Sequence, residues 1–149
     1  MEVKQTDRAE VGVLVVGHGR FAAEMVDCLL SVVGELDGVE GIACREDAGR
    51  DEIRRAILAA LDRVDQGSGV IIFTDMFGDT ASNICVDVAQ ARPGVEVLAG
   101  VNMPMLLKLT TERGERRSVA ELADFLREYG RAHIVRPEIR RARGREAGA

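Results

Sequence analysis

The stretch VGVLVVGHGRFAAEMVDCLL, residues 11–30, decides the fold. Its first part, VGVLVVG at 11–17, is a short β-branched apolar run. Such a run reads as a strand buried on both faces, the kind found in parallel sheets. Its second part sets Phe21, Met25, Cys28 and Leu29 at helical spacing, a pattern that continues to Val32. Between them lies Gly17-His18-Gly19-Arg20, a turn into a helix that opens at Arg20. Working outward, VIIFTD at 70–75 and VEVLAGV at 95–101 repeat the strand composition, and a weaker strand reads at Gly41 to Arg45. Ile53, Ile57, Leu61 and Val64 supply one intervening helix, and Ile84, Val88 and Ala91 another. Strands alternating with helices of this length signal βαβ units. The expected fold class is α/β, with a mostly parallel open sheet of order 2-1-3-4 flanked by helices.

After the fourth strand, Asn102 is placed to cap a short helix with Pro104 in its first turn, running to about Thr111. Ser118 and Glu121 form a capping box ahead of Leu122, Phe125, Leu126 and Tyr129. A final strand is expected at Ala132 to Arg136, ending at Pro137. The chain thus divides into an N-terminal extension at 1–10, one domain at 11–136, and a basic tail at 137–149 whose apolar content is too low to order it.

Composition narrows the function. A chain of 149 residues, 46% hydrophobic and 30% charged, supports one core, and no apolar run reaches the roughly 20 residues of a membrane span. Four Phe, one Tyr and no Trp leave little for base stacking. Residues 136–149 hold five Arg against two Glu, so the net charge of −5 conceals a body of −8. An acidic body argues against nucleic acid and suits a basic protein partner. The N-terminus lacks the pattern of a secretory signal. Cys28, Cys44 and Cys85 have no C-x-x-C spacing and read as reduced cytoplasmic thiols rather than a disulfide framework or a zinc site.

Ligands of open parallel sheets bind beyond the carboxyl ends of the strands, where strand order reverses. With order 2-1-3-4, the loop at His18 faces the loop Thr74-Asp75-Met76-Phe77-Gly78-Asp79-Thr80. Adjacent strands lie about 4.8 Å apart, within reach of an imidazole–carboxylate hydrogen bond from His18 to Asp75. A carboxylate on one ring nitrogen fixes the tautomer and leaves the other nitrogen a free lone pair. His18 then becomes a nucleophile for phosphoryl transfer, with glycines giving access, the amides at the helix start suiting a phosphate, and Thr80 offering a hydroxyl. The bland alternatives are a structural histidine, helix caps at Asp75 or Asp79, and a cap at Thr80, which pattern alone favours over phosphate contact. His133 reads as structural, and Met76, Met103 and Met105 as packing residues rather than metal ligands. A rival class also fits: Gly17, Gly19 and Ala22 match the G-x-G-x-x-[GA] fingerprint of dinucleotide binding, with Glu46 or Asp47 as the ribose acid. The bulk of His18 and the lack of a second half count against it.

The segments VGHGRFAAEM at 16–25, TDMFGDTASN at 74–83 and AGVNMPMLL at 99–107 together resemble the IIA domains of the mannose family of the bacterial phosphoenolpyruvate-dependent sugar phosphotransferase system. The likeness covers residues 11–136. It implies a cytoplasmic phosphotransferase in which His18 accepts a phosphoryl group from the phosphocarrier HPr, at Nε2, and passes it to a IIB domain or protein. It further implies that Asp75 hydrogen-bonds the active histidine and that Thr80, with Gly19 and Gly78 of the two loops, lies near the phosphoryl group. No metal or cofactor is implied. A homodimer is, with the terminal strand pairing antiparallel with the partner's sheet, as is peripheral association with a membrane permease. The family usually reads G-G-[ST]-P where this chain has Gly78-Asp79-Thr80-Ala81, which puts a carboxylate beside the expected phosphate. A regulatory module and the phosphotransfer subunit of a dihydroxyacetone kinase are related alternatives that differ in the recipient.

Overall fold

The computed structural model describes residues 8–142. Nine elements follow one another: β1 (Gly12–His18), α1 (Phe21–Val33), β2 (Val39–Cys44), α2 (Arg50–Val64), β3 (Val70–Thr74), α3 (Thr80–Ala91), β4 (Val95–Ala99), α4 (Met103–Glu112) and α5 (Val119–Ala132). The four strands form one parallel sheet in the order β2-β1-β3-β4. Alternating side chains of the central strands enter two separate cores. Val13, Val15, Ile71 and Phe73 pack with α1, α4 and α5, whereas Leu14, Val16, Val70 and Ile72 pack with α2 and α3. Burial on both faces explains why β1 and β3 are apolar at successive positions instead of alternating. A fully buried Leu or Phe contributes about 1.5–3 kcal/mol by leaving water, so these two strands anchor the molecule.

The sheet positions the site through its topology. From β1 the chain moves outward through α1 on one face to β2, then returns through α2 on the opposite face to β3. The carboxyl ends of β1 and β3 therefore diverge to opposite sides, leaving the crevice expected at a reversal of strand order. Local chemistry fixes the later helices. Asn102 accepts the Met105 amide at 3.1 Å. Both reciprocal bonds of the Ser118–Glu121 capping box are made, at 3.1 and 2.9 Å.

The final strand expected at Ala132 to Arg136 is not formed in the single chain. Helix α5 continues to Ala132, and residues 134–142 have no regular structure. A strand requires a hydrogen-bonding neighbour, and this segment lies against none, with Ile134 and Val135 exposed at 77% and 69%. The start of the N-terminal extension, with its secretory-signal reading, and the end of the basic tail lie outside the described residues.

Candidate functional site

Strand β1 delivers His18 to the carboxyl edge of the sheet, beside Cys44 of β2. Immediately after β3, the Asp75 amide donates to the Val16 carbonyl, which sets Asp75 directly across from His18. One Asp75 oxygen, Oδ2, accepts from the His18 amide at 2.9 Å and lies 2.7 Å from Nδ1; the other accepts the Met76 amide at 2.9 Å. Gly17 makes this approach possible. A Cβ there would sit 2.7 Å from the Phe21 ring and 3.3 Å from the Asp75 carboxylate. Gly19 and Gly78 both have positive φ, and a Cβ on either would meet nothing within 4 Å, so the two loop glycines themselves face open space.

The opposite edge of the ring faces a second carboxylate. Asp79 Oδ2 lies 3.1 Å from His18 Nε2, close enough for an ion pair but without the alignment of a hydrogen bond. Asp79 is also the N-cap of α3, accepting the Ser82 amide at 2.9 Å through Oδ1. The cap is therefore Asp79 and not Thr80, whose hydroxyl is left free of capping as the first residue of the helix. The Gly78 amide is already donated to Ser82 Oγ. Thr80, Cys44, Glu46 and Ile53 line a cavity of about 240 Å³ that opens beside His18 and Asp79.

Charge and exposure divide the labour. The His18 side chain is 42% exposed while Asp75 and Asp79 are 11% and 20% exposed, so the imidazole is reachable and its partners are not. The hydrogen bond to Asp75 raises the His18 pKa above its ordinary value against the opposing effect of burial, aided by the charges of Asp75, Asp79 and Glu46. Burial works to raise the Asp75 carboxyl, yet the His18 amide and ring and the Met76 amide hold it below the usual carboxylate range. Burial pushes the Cys44 thiol up, so it stays protonated and non-nucleophilic in the cavity. His18, Asp75 and Asp79 are the only cluster of possible metal-binding groups among the described residues.

Several other expectations fall into place. His133 is exposed, stacked on Tyr129 at 3.8 Å and bonded to the Tyr129 carbonyl, far in role from any site. Met105 is buried and Met103 packs on the core, but Met76 is 51% exposed in the loop after β3, contrary to a packing role. The three cysteines are free. The sequence puts the Asp79 carboxylate beside the expected phosphate, and the structure sets its Oδ2 3.1 Å from Nε2. The departure from glycine at this position was the available signal, but side-chain direction was not.

The chain matches the family model EIIA-man, described as "PTS system fructose IIA component", over residues 12–126. The mannose-specific EIIAB component of the PTS system from Escherichia coli K12 is 26% identical over 124 residues, which is 83% of this chain and 38% of that protein. The chain therefore spans well under half the length of that relative. The sorbose-specific EIIA component from Lacticaseibacillus casei is 25% identical over 76% of this chain and 81% of its own. Among solved structures, the mannose/sorbose-specific IIA subunit from Enterococcus faecalis superposes with a TM-score of 0.78 at 21% identity, covering 91% of this chain and all of the other. No helix among the described residues is long and apolar enough to cross a membrane.

Proposed function

The chain belongs to the EIIA-man family of phosphotransferase-system IIA components, and from that premise we propose that it is a phosphocarrier that takes a phosphoryl group on His18 Nε2. The observation that carries this reading is the 2.7 Å contact between Asp75 and Nδ1. It supports a reading in which Nδ1 is held by the protein and Nε2, with Asp79 beside it, is the nitrogen that reacts. The donor is HPr, whose phosphohistidine presents the phosphorus to Nε2, and the acceptor is a IIB protein. As the new P–N bond forms, positive charge builds on the imidazole and Asp75 stabilises it through the retained Nδ1–H. Transfer between two nitrogens asks mainly for positioning and charge stabilisation. Gly19 and Gly78 leave room for the group, Thr80 offers a hydroxyl, and the first turn of α1, which carries no side-chain cap, offers amides.

The exposed apolar residues Ile134 and Val135 support a second element of the proposal. In a homodimer this segment becomes the antiparallel strand that the single chain does not form. The protein acts in the cytoplasm, meeting its permease at the membrane surface.

Incubation with labelled phosphoenolpyruvate, enzyme I and HPr is expected to give acid-labile, alkali-stable label on the protein, and His18→Ala to abolish it. Label that persists in His18→Ala would overturn the assignment. Onward transfer to a IIB protein, but not to a dihydroxyacetone kinase subunit, separates carrier from the alternative recipient.

A further inference from the structure

Asp79 sits where the incoming group must go. Its Oδ2 atom is 3.1 Å from Nε2, and a phosphoryl group bonded to that nitrogen, with three oxygens of its own, cannot share the space. The position is held from behind. Oδ1 caps α3 through the Ser82 amide, and Ser82 Oγ in turn donates to the Asp79 carbonyl and accepts the Gly78 amide. Oδ2 itself is buried and has no hydrogen-bond partner among the described residues. We propose that Asp79 is a gate on the accepting nitrogen, holding a proton on Nε2 between turnovers and turning aside when the phosphoryl group arrives. This rests on His18 being the phosphoryl acceptor.

The electrostatics make the closed state specific. With Nδ1–H held by Asp75, a neutral ring would set its Nε2 lone pair beside a buried carboxylate oxygen 3.1 Å away. A proton on Nε2 replaces that repulsion with an ion pair. The groups around the ring reinforce this from every side. Asp75 and Asp79 come from the loop after β3, and Glu46 from the loop after β2. The nearby cations are already engaged, Arg45 by Asp47 and Arg20 by Glu24. Cys44, on the neighbouring strand, is an uncharged thiol. Among the described residues, no other cation is in ion-pair contact with either of the two carboxylates that flank the imidazole.

The step balances as follows. The Nε2 proton departs to water, and the freed lone pair attacks the phosphorus of the donor phosphohistidine. The donor's P–N bond breaks with its electron pair staying on the donor ring, and Nδ1–H remains on Asp75. Because the attacking form is the one lacking the Nε2 proton, the rate rises with pH through the His18 pKa. That pKa lies above the ordinary value, and the Asp79 charge is among the causes. Removing the charge shifts the rise to lower pH.

The test uses Asp79→Asn, which keeps a capping acceptor for Ser82 while removing the charge, and Asp79→Gly, which also clears the space. The His18 imidazole is titrated by NMR in each protein, and phosphorylation by phospho-HPr is timed at about pH 6 and at about pH 9. The expected result is a lower His18 midpoint in both variants, with phosphorylation severalfold faster near pH 6 in Asp79→Asn and the variants converging on the wild type near pH 9, apart from any extra gain from the cleared space in Asp79→Gly. Because the Asp79 charge acts on the ring even if the residue does no more than cap α3, the rate near pH 6 is read together with the midpoint: an unmoved midpoint, or phosphorylation of Asp79→Asn no faster than the wild type near pH 6, overturns the gate. An unmoved midpoint is read without any transfer, so it overturns the gate independently of the phosphocarrier reading. Complete failure of the wild type to accept label would instead refute the phosphocarrier reading.

Discussion

Each end of the sheet holds a positively chargeable side chain, and the two are treated in opposite ways. At the amino end, Arg113 is 2% exposed, its Nε donates to the Val11 carbonyl at 3.0 Å and Nη2 to the Asp37 carbonyl at 2.9 Å. Glu10 stands 3.5 Å away and the backbone of residue 113 pairs with Val11. At the carboxyl end, His18 is 42% exposed and only one of its ring nitrogens makes a hydrogen bond. Through Nε and Nη2 Arg113 ties the start of β1 to the end of α4 and to the turn before β2, while its Nη1 is buried without a hydrogen-bond partner among the described residues. His18 retains an edge for chemistry. The difference lies in how many of the group's hydrogen-bonding directions are already taken and whether water can reach the remainder, not in charge or location on a strand end.

Substitutions at the two ends should therefore separate stability from transfer. The largest effect expected is the total loss of label in His18→Ala, with little change in melting temperature. Arg113→Met should do the reverse. It strands the buried Val11 carbonyl and removes the donor to the part-buried Asp37 carbonyl, and at about 1–3 kcal/mol for a buried unsatisfied group the loss should appear as a lower midpoint in urea, with the His18 NMR titration unchanged. A shifted His18 titration in that variant would show that the two ends are coupled. Next in size, Asp75→Asn should slow phosphorylation by about 10²-fold, the scale of a misassigned proton in such catalysis, and an unaltered rate would reduce Asp75 to a loop-ordering residue. Smallest is Ser118→Ala, which breaks the capping box of α5 far from either end. It should cost about 1 kcal/mol by thermal unfolding and leave phosphorylation untouched.

The sequence revealed most where a single physical rule dominates. Apolar runs such as VIIF at 70–73 can only be strands covered on both faces, and Asn102, Ser118 and Glu121 name their helix starts through side-chain chemistry. The parallel βαβ arrangement followed from the alternation of strands and helices, and given the order 2-1-3-4, which the sheet has, His18 and Asp75 meet. The reading failed where two rules compete. Asp79 and Thr80 are both good caps, and only the backbone direction after Gly78 awards the role to Asp79 and aims its second oxygen at Nε2. The segment after Ala132 has the composition of a strand but not the neighbour one requires, and strand formation depends on that neighbour as much as on propensity.

The central claim concerns one ring atom, so the most direct measurement is nitrogen and phosphorus NMR of the protein phosphorylated by phospho-HPr. The account predicts phosphorus coupled to His18 Nε2, with Nδ1 still carrying its proton. Phosphorus on Nδ1, on a carboxylate, or on any residue other than His18 would contradict it.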